Sequence, residues 1–249
     1  MGEPVTILQL DPEVPLDRLA PWLAGYGVTV RSVPVWERGV PSLESVRHGC
    51  VVLGGLMGCH ETAEHPWLDH VMDLMVAAVE SDVAVLAICL GHQLLAKAFG
   101  GTVVSAHPAG GEHGPFVIEF AEEASDDPVL VTLAQSGPAV MPESHDDAVT
   151  ELPPEAVSLA TTASYANQAF RIGSALGVQF HPEASPDLMA RWQAHAGGDS
   201  ALMWRTMRAV DAQVINNGRL IARGFAGEVR ARHSDTLATP PKTRSEEHT

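Results

Sequence analysis

The first half of the chain alternates between short apolar runs and longer segments with helical spacing. Residues 83–88 are an unbroken apolar run, typical of a strand buried on both faces. Leu94, Leu95, Ala98 and Phe99 recur at helical spacing directly after it, which predicts a strand followed at once by a helix. The same patterns predict strands at 5–10, 28–35 and 50–53, and helices at 15–25 and 66–79.

The second half of the chain has shorter apolar runs with many turns between them. We predict strands at 102–105, 116–120, 139–142, 157–162, 168–172 and 175–180, and then helices at 186–194 and 201–223. The order predicts an α/β fold, with a mostly parallel open sheet, helices on both faces and partly antiparallel strands at its edge. We expect one domain over residues 1–232, with a core at 5–195, and a disordered polar tail at 233–249.

Cys89 occupies the junction between the predicted strand at 83–88 and the helix that follows it. A residue at such a turn is held at the tip of a sharp bend, as the serine nucleophile is in many hydrolases. The helix N-terminus supplies free N–H groups and a positive dipole end, and both favour a thiolate. Cys89 is therefore a candidate nucleophile, although an isolated cysteine is often a small core residue.

A second short strand ends in His181-Pro182-Glu183. A cysteine nucleophile needs a base, and that base needs an acceptor that orients it. Pro182 biases His181 towards extended backbone, which places the side chains of His181 and Glu183 on one side of the chain. We predict a Cys89–His181–Glu183 triad; the alternatives are a structural histidine and a helix-capping glutamate.

These segments together resemble the class I, or triad, glutamine amidotransferases, particularly small stand-alone members similar to GMP synthase. The resemblance rests on Ile-Cys-Leu-Gly-His-Gln at 88–93 and Gln-Phe-His-Pro-Glu at 179–183. Supporting segments lie at 51–55, 144–153 and 167–171. The resemblance covers roughly residues 5–195 and implies a flavodoxin-like sheet and hydrolysis of the glutamine side-chain amide.

The resemblance also implies roles for residues around the triad. The backbone N–H of Leu90 and the turn at Gly55 and Leu56 would form the oxyanion hole. Gln93 would hold the substrate, together with the segment that contains Tyr165, Asn167, Gln168 and Ala169. His145 and Asp147 match family positions and would shape the site, with Asp146 where the family has glycine. The half-reaction needs no metal and no organic cofactor.

Three functions remain open at this stage. The chain could be a glutaminase that acts with a separate synthase subunit, because it contains no P-loop motif for ATP. It could instead be a stand-alone hydrolase or transferase of γ-glutamyl peptides or amines, with the same triad. The third alternative is a non-enzymatic regulatory protein on this fold.

Other candidate chemistry in the sequence is weak. The segment from His60 to His65 misses the zinc-protease spacing by one position and precedes Pro66, so we expect a loop and no metal there. Cys50 begins an apolar strand and is expected in the core, whereas Cys59 lies in a loop and could be an accessible thiol. Three cysteines without paired spacing indicate reduced thiols and a cytoplasmic protein.

The charge and hydropathy of the chain limit the classes of partner that it can bind. The net charge of −16 argues against nucleic acid and anionic membranes as partners. No apolar run reaches the roughly 18–20 residues of a membrane span, and the N-terminus lacks the pattern of a signal peptide. Nine of the 15 Lys and Arg residues lie from Arg191 onward, on a solvated helix face or a face that docks on an acidic surface.

Overall fold

The computed structural model describes residues 4–238, with side chains through residue 233. The strands in chain order are β1 (Val5–Gln9), β2 (Val30–Pro34), β3 (Cys50–Val52), β4 (Val85–Ile88), β5 (Thr102–Val104), β6 (Glu112–Phe120), β7 (Ala139–His145), β8 (Ala148–Glu151), β9 (Val157–Thr161), β10 (Ala169–Ile172) and β11 (Ala175–Val178). The α-helices are α1 (Leu19–Gly25), α2 (Val35–Arg38), α3 (Trp67–Glu80), α4 (Leu90–Ala98), α5 (Val131–Ala134), α6 (Pro186–His195) and α7 (Ser200–Ala238). Short 3-10 helices cover Leu43–Val46 and Glu122–Ser125.

A nine-stranded sheet organises these elements, in the spatial order β2, β1, β3, β4, β11, β10, β9, β6, β7. The first five strands are parallel. The remaining four pair antiparallel with their neighbours. β5 and β8 form a separate antiparallel pair. The predicted α/β class, with its parallel region and antiparallel edge, is confirmed.

Helices cover both faces of the sheet, which has a hydrophobic core on each side. The side chains of successive strand residues point to opposite faces of the sheet, so each central strand contributes side chains to both cores. In β4, Leu86 belongs to the core beneath α1 and α7, whereas Val85 belongs to the core beneath α3 and α4. Full burial on both faces explains why the central strands read as continuous apolar runs.

The antiparallel region differs from the prediction in its strand ends. β6 begins at Glu112 rather than at residue 116, and β7 continues to His145 rather than ending at 142. Both strands contain proline, which lacks the N–H of a ladder bond, and Pro115 lies opposite Pro142. β8 and the one-turn helix α2 were not predicted, because each is only four residues long.

Helix α7 is longer than predicted and packs closely against the domain. It runs through 238, past the expected end at 223 and through the first six residues of the predicted tail. A Cβ added at Gly218 would lie 2.5 Å from the carbonyl oxygen of Pro182, so the helix backbone lies directly against the His-Pro-Glu segment. Residues 239–249, where disorder was predicted, lie outside the described residues.

Several basic residues of α7 form ion pairs within the chain. Arg208 lies 2.7 Å from Asp211, and Arg232 pairs with Glu228 and with Asp82 in the turn after α3. The first and second of these acidic partners lie on α7 itself, whereas the Arg232–Asp82 pair joins the basic C-terminal segment to another element of the domain. Within residues 4–238, every helix is too short or too polar to cross a membrane.

Candidate active site

Cys89 lies at the sharp turn between β4 and α4. Its φ of 51° and ψ of −107° are rarely adopted by a residue with a side chain, and such backbone strain is typical of functional positions. The turn is held by a hydrogen bond from the Cys89 N–H to the carbonyl of Val178, 2.9 Å. A Cβ added at Gly91 would lie 2.5 Å from the carbonyl oxygen of Val52, so glycine allows the helix to start this close to β3.

The sheet brings His181 to the same edge as Cys89. β11 lies beside β4 in parallel, with Val178 opposite Ile88, so the residues after both strands emerge together. A Cβ added at Gly54 would lie 3.3 Å from Cε1 of His181 and 3.4 Å from Cβ of Cys89. The two side chains therefore converge over Gly54, while the Cys89 thiol lies 3.9 Å from the carbonyl oxygen of Ser144.

Glu183 orients the imidazole. His181 Nδ1 and Glu183 Oε1 are 2.7 Å apart, and both side chains are buried. The bond assigns the proton to Nδ1 and leaves Nε2 for the thiol. Burial by itself would lower the pKa of His181, but the charges of Glu183 and Cys89 outweigh burial and hold that pKa well above its ordinary value.

Trp192 packs against the imidazole of His181 from helix α6. Its ring centroid is 4.6 Å from that of His181, with 52° between the planes. The indole N–H donates to the carbonyl of Glu13, 2.9 Å, which fixes the ring on the loop after β1. Trp192 was not among the predicted site residues; its only signal is a tryptophan on the buried face of the helix after the His-Pro-Glu motif.

The predicted oxyanion-hole residues all border the same cavity, which has a volume of about 450 Å³. Leu90 is the first residue of α4, where backbone N–H groups have no partner within the helix. The N–H of Leu56 instead donates to Oδ2 of Asp11, 3.2 Å. That amide would have to leave Asp11 before it could bind an oxyanion.

The predicted substrate-binding residues separate into two groups. Gln93 lines the cavity, and its amide nitrogen lies 3.3 Å from the carbonyl of Asp147. The other four, Tyr165, Asn167, Gln168 and Ala169, do not line it. Instead, Asn167 bonds to the carbonyl of Val149, and Gln168 bonds to Glu112 behind the wall formed by His145.

His145 and Asp147 shape the cavity wall. The Asp147 carboxylate accepts bonds from the N–H of Ala106, 2.9 Å, and the hydroxyl of Ser105, 3.2 Å, which ties two walls together. Asp146, which stands where the family has glycine, is not among the residues with positive φ, so the aspartate fits the turn without strain. Its carboxylate lies 3.1 Å from the ring of His113.

Cys50 and Cys59 are both buried. Burial raises the pKa of Cys50 to about 12 and that of Cys59 to about 11. Cys50 is a core residue, as predicted, and burial of Cys59 rules out the possibility that it is an accessible thiol. Lys97 Nζ donates to the carbonyl oxygen of Cys59, 2.9 Å, and so ties this loop to helix α4.

His92 and His60, from the motifs at 88–93 and 60–65, each contact a neighbouring element of the fold. His92 packs on the ring of Phe170, 4.9 Å between centroids, and burial lowers its pKa to about 3. His60 lies in a turn and bonds to the carbonyl of Val103, 3.0 Å. The segment at 60–65 precedes α3 rather than forming part of it, in agreement with the expected loop.

Comparison with solved structures gives the same fold. A glutamine amidotransferase from Thermotoga maritima aligns with a TM-score of 0.78 and 22% identity, covering 92% of this chain and 99% of that one. A glutamine amido transferase from Methylobacillus flagellatus aligns with a TM-score of 0.77 and 22% identity, covering both chains fully. At this identity the likeness concerns the fold.

Sequence comparison gives the family. One relative, a subunit of a glutamine-hydrolyzing GMP synthase from Pyrococcus abyssi, is 40% identical over 108 residues, which are 43% of this chain and 54% of the relative. A GMP synthase from Thermomicrobium roseum is 37% identical over 107 residues, 19% of its length. The chain thus aligns with only about half, or less, of these curated relatives. Residues 21–191 match the model for Glutamine amidotransferase class-I, and the chain belongs to that family.

Proposed function

We propose that the protein hydrolyses the side-chain amide of glutamine through Cys89, His181 and Glu183, and passes the ammonia to a separate synthase subunit. The observation that carries the proposal is the convergence over Gly54 of the strained Cys89, which lines the cavity, and the Glu183-oriented His181. Folding alone requires neither the backbone strain nor a buried ionisable pair.

The chemistry follows from the positions of these groups. The Cys89 sulfur attacks the amide carbon, and the carbonyl oxygen becomes an oxyanion near the N–H of Leu90. The C–N bond then breaks, His181 gives its proton to the departing ammonia, and a γ-glutamyl thioester remains on Cys89. Water attacks the thioester while His181 accepts a proton, and glutamate leaves with the thiol regenerated.

The raised pKa of His181 fits the first half of this cycle. An imidazolium that is stable at neutral pH can protonate the departing ammonia. Glu183 then fixes the ring orientation through both halves, as the carboxylate of other triads does.

A separate synthase partner is proposed by analogy with the relatives. The Pyrococcus abyssi relative is named as a subunit of a GMP synthase, which implies a second subunit in that enzyme. The exposed Leu56 at the mouth of the cavity is an apolar contact point beside the predicted oxyanion-hole turn. The free energy of partner binding at Leu56 would offset the loss of the hydrogen bond from the Leu56 N–H to Asp11.

The test is release of glutamate from glutamine by the purified protein, measured for the natural chain, Cys89→Ser and Cys59→Ser. The last variant is the matched control, because Cys59 is a buried thiol near the same cavity. The substrate panel includes γ-glutamyl peptides and amines, since the triad would cleave any γ-glutamyl amide that fits the cavity. We expect glutamine turnover that is lost in Cys89→Ser and retained in Cys59→Ser.

Two results would redirect the proposal. Faster turnover of a γ-glutamyl peptide than of glutamine would identify the protein as a γ-glutamyl hydrolase. If all substrates are inert, a diazoketone analogue of glutamine should still label Cys89 when a partner is added; absence of labelling under every condition would refute an amide-hydrolysing role.

A further inference from the structure

Three ligand-type side chains meet behind the cavity wall, outside the triad. Glu112 on β6 and His145 on β7 are directly opposite partners in the antiparallel pair, and Glu143 lies two residues before His145 on the same face. His145 Nε2 is 3.3 Å from Glu112 Oε2 and 3.7 Å from Glu143 Oε2. One ligand atom from each residue falls within 4.8 Å of the others, and all three residues are buried.

The hydrogen bond at the other side of the ring sets the tautomer of His145. Its Nδ1 lies 2.9 Å from the carbonyl oxygen of Asp147, which can only accept, so Nδ1 carries a proton. In the neutral ring, Nε2 therefore carries a lone pair, and it faces the carboxyl groups of Glu112 and Glu143. This arrangement, a histidine whose second nitrogen bonds to a backbone carbonyl, is the usual one for a metal ligand.

The carboxyl group of Glu143 is buried without a hydrogen-bond partner in the described part of the chain. It is fully buried, and neither of its carboxylate oxygens has a hydrogen-bond partner among the described residues. A buried carboxylate without a hydrogen-bond partner is strongly destabilising as an anion, so either a proton or a cation must neutralise Glu143. Its Oε2 is directed at His145 Nε2.

A proton on His145 Nε2 could hydrogen-bond to only one of the two carboxyl groups, whereas a metal ion could bind both. An imidazolium N–H could donate to Glu112 at 3.3 Å, but 3.7 Å to Glu143 is too long for a hydrogen bond. A tetrahedral metal with bonds of about 2.0–2.2 Å has its ligand atoms about 3.4 Å apart. This spacing is close to the distances from His145 Nε2 to Glu112 Oε2, 3.3 Å, and to Glu143 Oε2, 3.7 Å.

We propose that Glu112, Glu143 and His145 form a binding site for a divalent transition metal, with Zn²⁺ as the best match. One imidazole and two carboxylates are a typical zinc ligand set, and three protein ligands leave a fourth position for water or another group. The site would join β6 to β7 next to Ser144, whose carbonyl lies 3.9 Å from the sulfur of Cys89. Bound metal would thereby rigidify the wall of the active site.

The surrounding residues already form the outer shell that such a site needs. Thr162 donates to Oε1 of Glu112, 2.7 Å, and Gln168 donates to Oε2 of the same carboxylate, 2.6 Å. The Asp147 carbonyl orients His145. Because His145 lines the cavity, the cavity offers the ion a route to the cluster.

The experiment measures zinc bound to untagged, full-length protein in the Cys89→Ser background, which removes the catalytic thiol as a competing ligand. Metal content after reconstitution is measured by mass spectrometry, affinity by titration against a chromophoric chelator, and unfolding temperature with and without EDTA. We expect one zinc per chain and a lower unfolding temperature in EDTA.

The test variant is Glu143→Gln, which keeps the shape of the side chain and removes its charge. We expect affinity to fall at least about 100-fold and the EDTA effect on unfolding to disappear. Glu119→Gln, on the same strand β6 but outside the cluster, is the matched control and should bind zinc like its parent.

A second variant covers the case in which Glu143→Gln does not fold. Thr162→Val removes a bond that orients Glu112, and its affinity should fall about 10-fold. If the Cys89→Ser protein holds no zinc after reconstitution, or if Glu143→Gln and Thr162→Val bind it as tightly as their parent, the metal site is refuted. A proton shared within the cluster would then account for the buried carboxylates.

Discussion

Replacement of Trp192 by leucine should lower the pKa of His181. The indole ring lies 4.6 Å from the imidazole, inside the roughly 6 Å range of cation–π attraction, and both side chains are buried. The ring therefore stabilises the imidazolium over the neutral imidazole by about 0.5–2 kcal/mol. At 1.36 kcal/mol for each pH unit, its loss should lower the pKa by about 0.4–1.5 units.

The sign of the effect on activity follows from the proposed role of the His181 imidazolium as proton donor. Below the pKa of His181 the donor is present, and above it the donor is lost. A lower pKa therefore moves the alkaline limb of kcat/KM for glutamine to lower pH, and leaves the maximum less affected. The pKa can also be followed without substrate by NMR titration of ring-labelled histidine, with His181→Gln used to assign the signal.

Trp192→Phe separates the ring from its hydrogen bond. Phenylalanine keeps an aromatic face against His181 but cannot donate to the carbonyl of Glu13. It should therefore lose about 0.5–1.5 kcal/mol of stability while the alkaline limb stays close to that of the natural protein. If Trp192→Leu folds and its His181 titrates as in the natural protein, the ring does not stabilise the imidazolium, and the reasoning fails.

Three further predictions concern the triad, the turn and the thiols. Glu183→Gln should reduce kcat for glutamine about 10³–10⁴-fold with little change in KM, because the ring loses its charged acceptor at 2.7 Å; an unchanged kcat would remove Glu183 from the triad. Gly91→Ala should cost about 1–3 kcal/mol in urea unfolding, since its Cβ would lie 2.5 Å from a β3 carbonyl, whereas Gly25→Ala, with nothing within 4 Å, should not destabilise; equal effects would contradict the packing argument. Iodoacetamide at pH 8 should alkylate Cys89 and spare Cys50, whose buried thiol has a pKa of about 12, and peptide mapping of the two sites would reveal the reverse order if this is wrong.

The elements that surround Cys89 could be predicted from local sequence. The run at 83–88 and the helical spacing after it place Cys89 at a strand-to-helix turn, and the structure has β4, Cys89 and α4 in that order. These signals are local because a strand buried on both faces must be apolar throughout, and a helix on the sheet must repeat its apolar positions. The segment that ends in His181 was found in the same way.

The antiparallel edge was less well predicted for a physical reason. Pro115 and Pro142 each argue against a strand when seen alone, yet they lie opposite each other in the ladder between β6 and β7. Pairing over seven residue pairs outweighs the local preference at one of them. The residues by which β6 and β7 exceed the predicted strands include Glu112 and His145, which form the pair at the end of this ladder.

Sequence alone determined the fold class, the turn that carries Cys89 and the motif that carries His181 and Glu183. The tertiary structure decided what surrounds them. It set Trp192 against the imidazole, bonded the Leu56 amide to Asp11, and gathered Glu112, Glu143 and His145 behind the cavity wall. The contacts of Leu56 with Asp11 and of His145 with Glu112 join residues 45 and 33 positions apart. They depend on strand order and register, which no local pattern of hydrophobic and polar residues encodes.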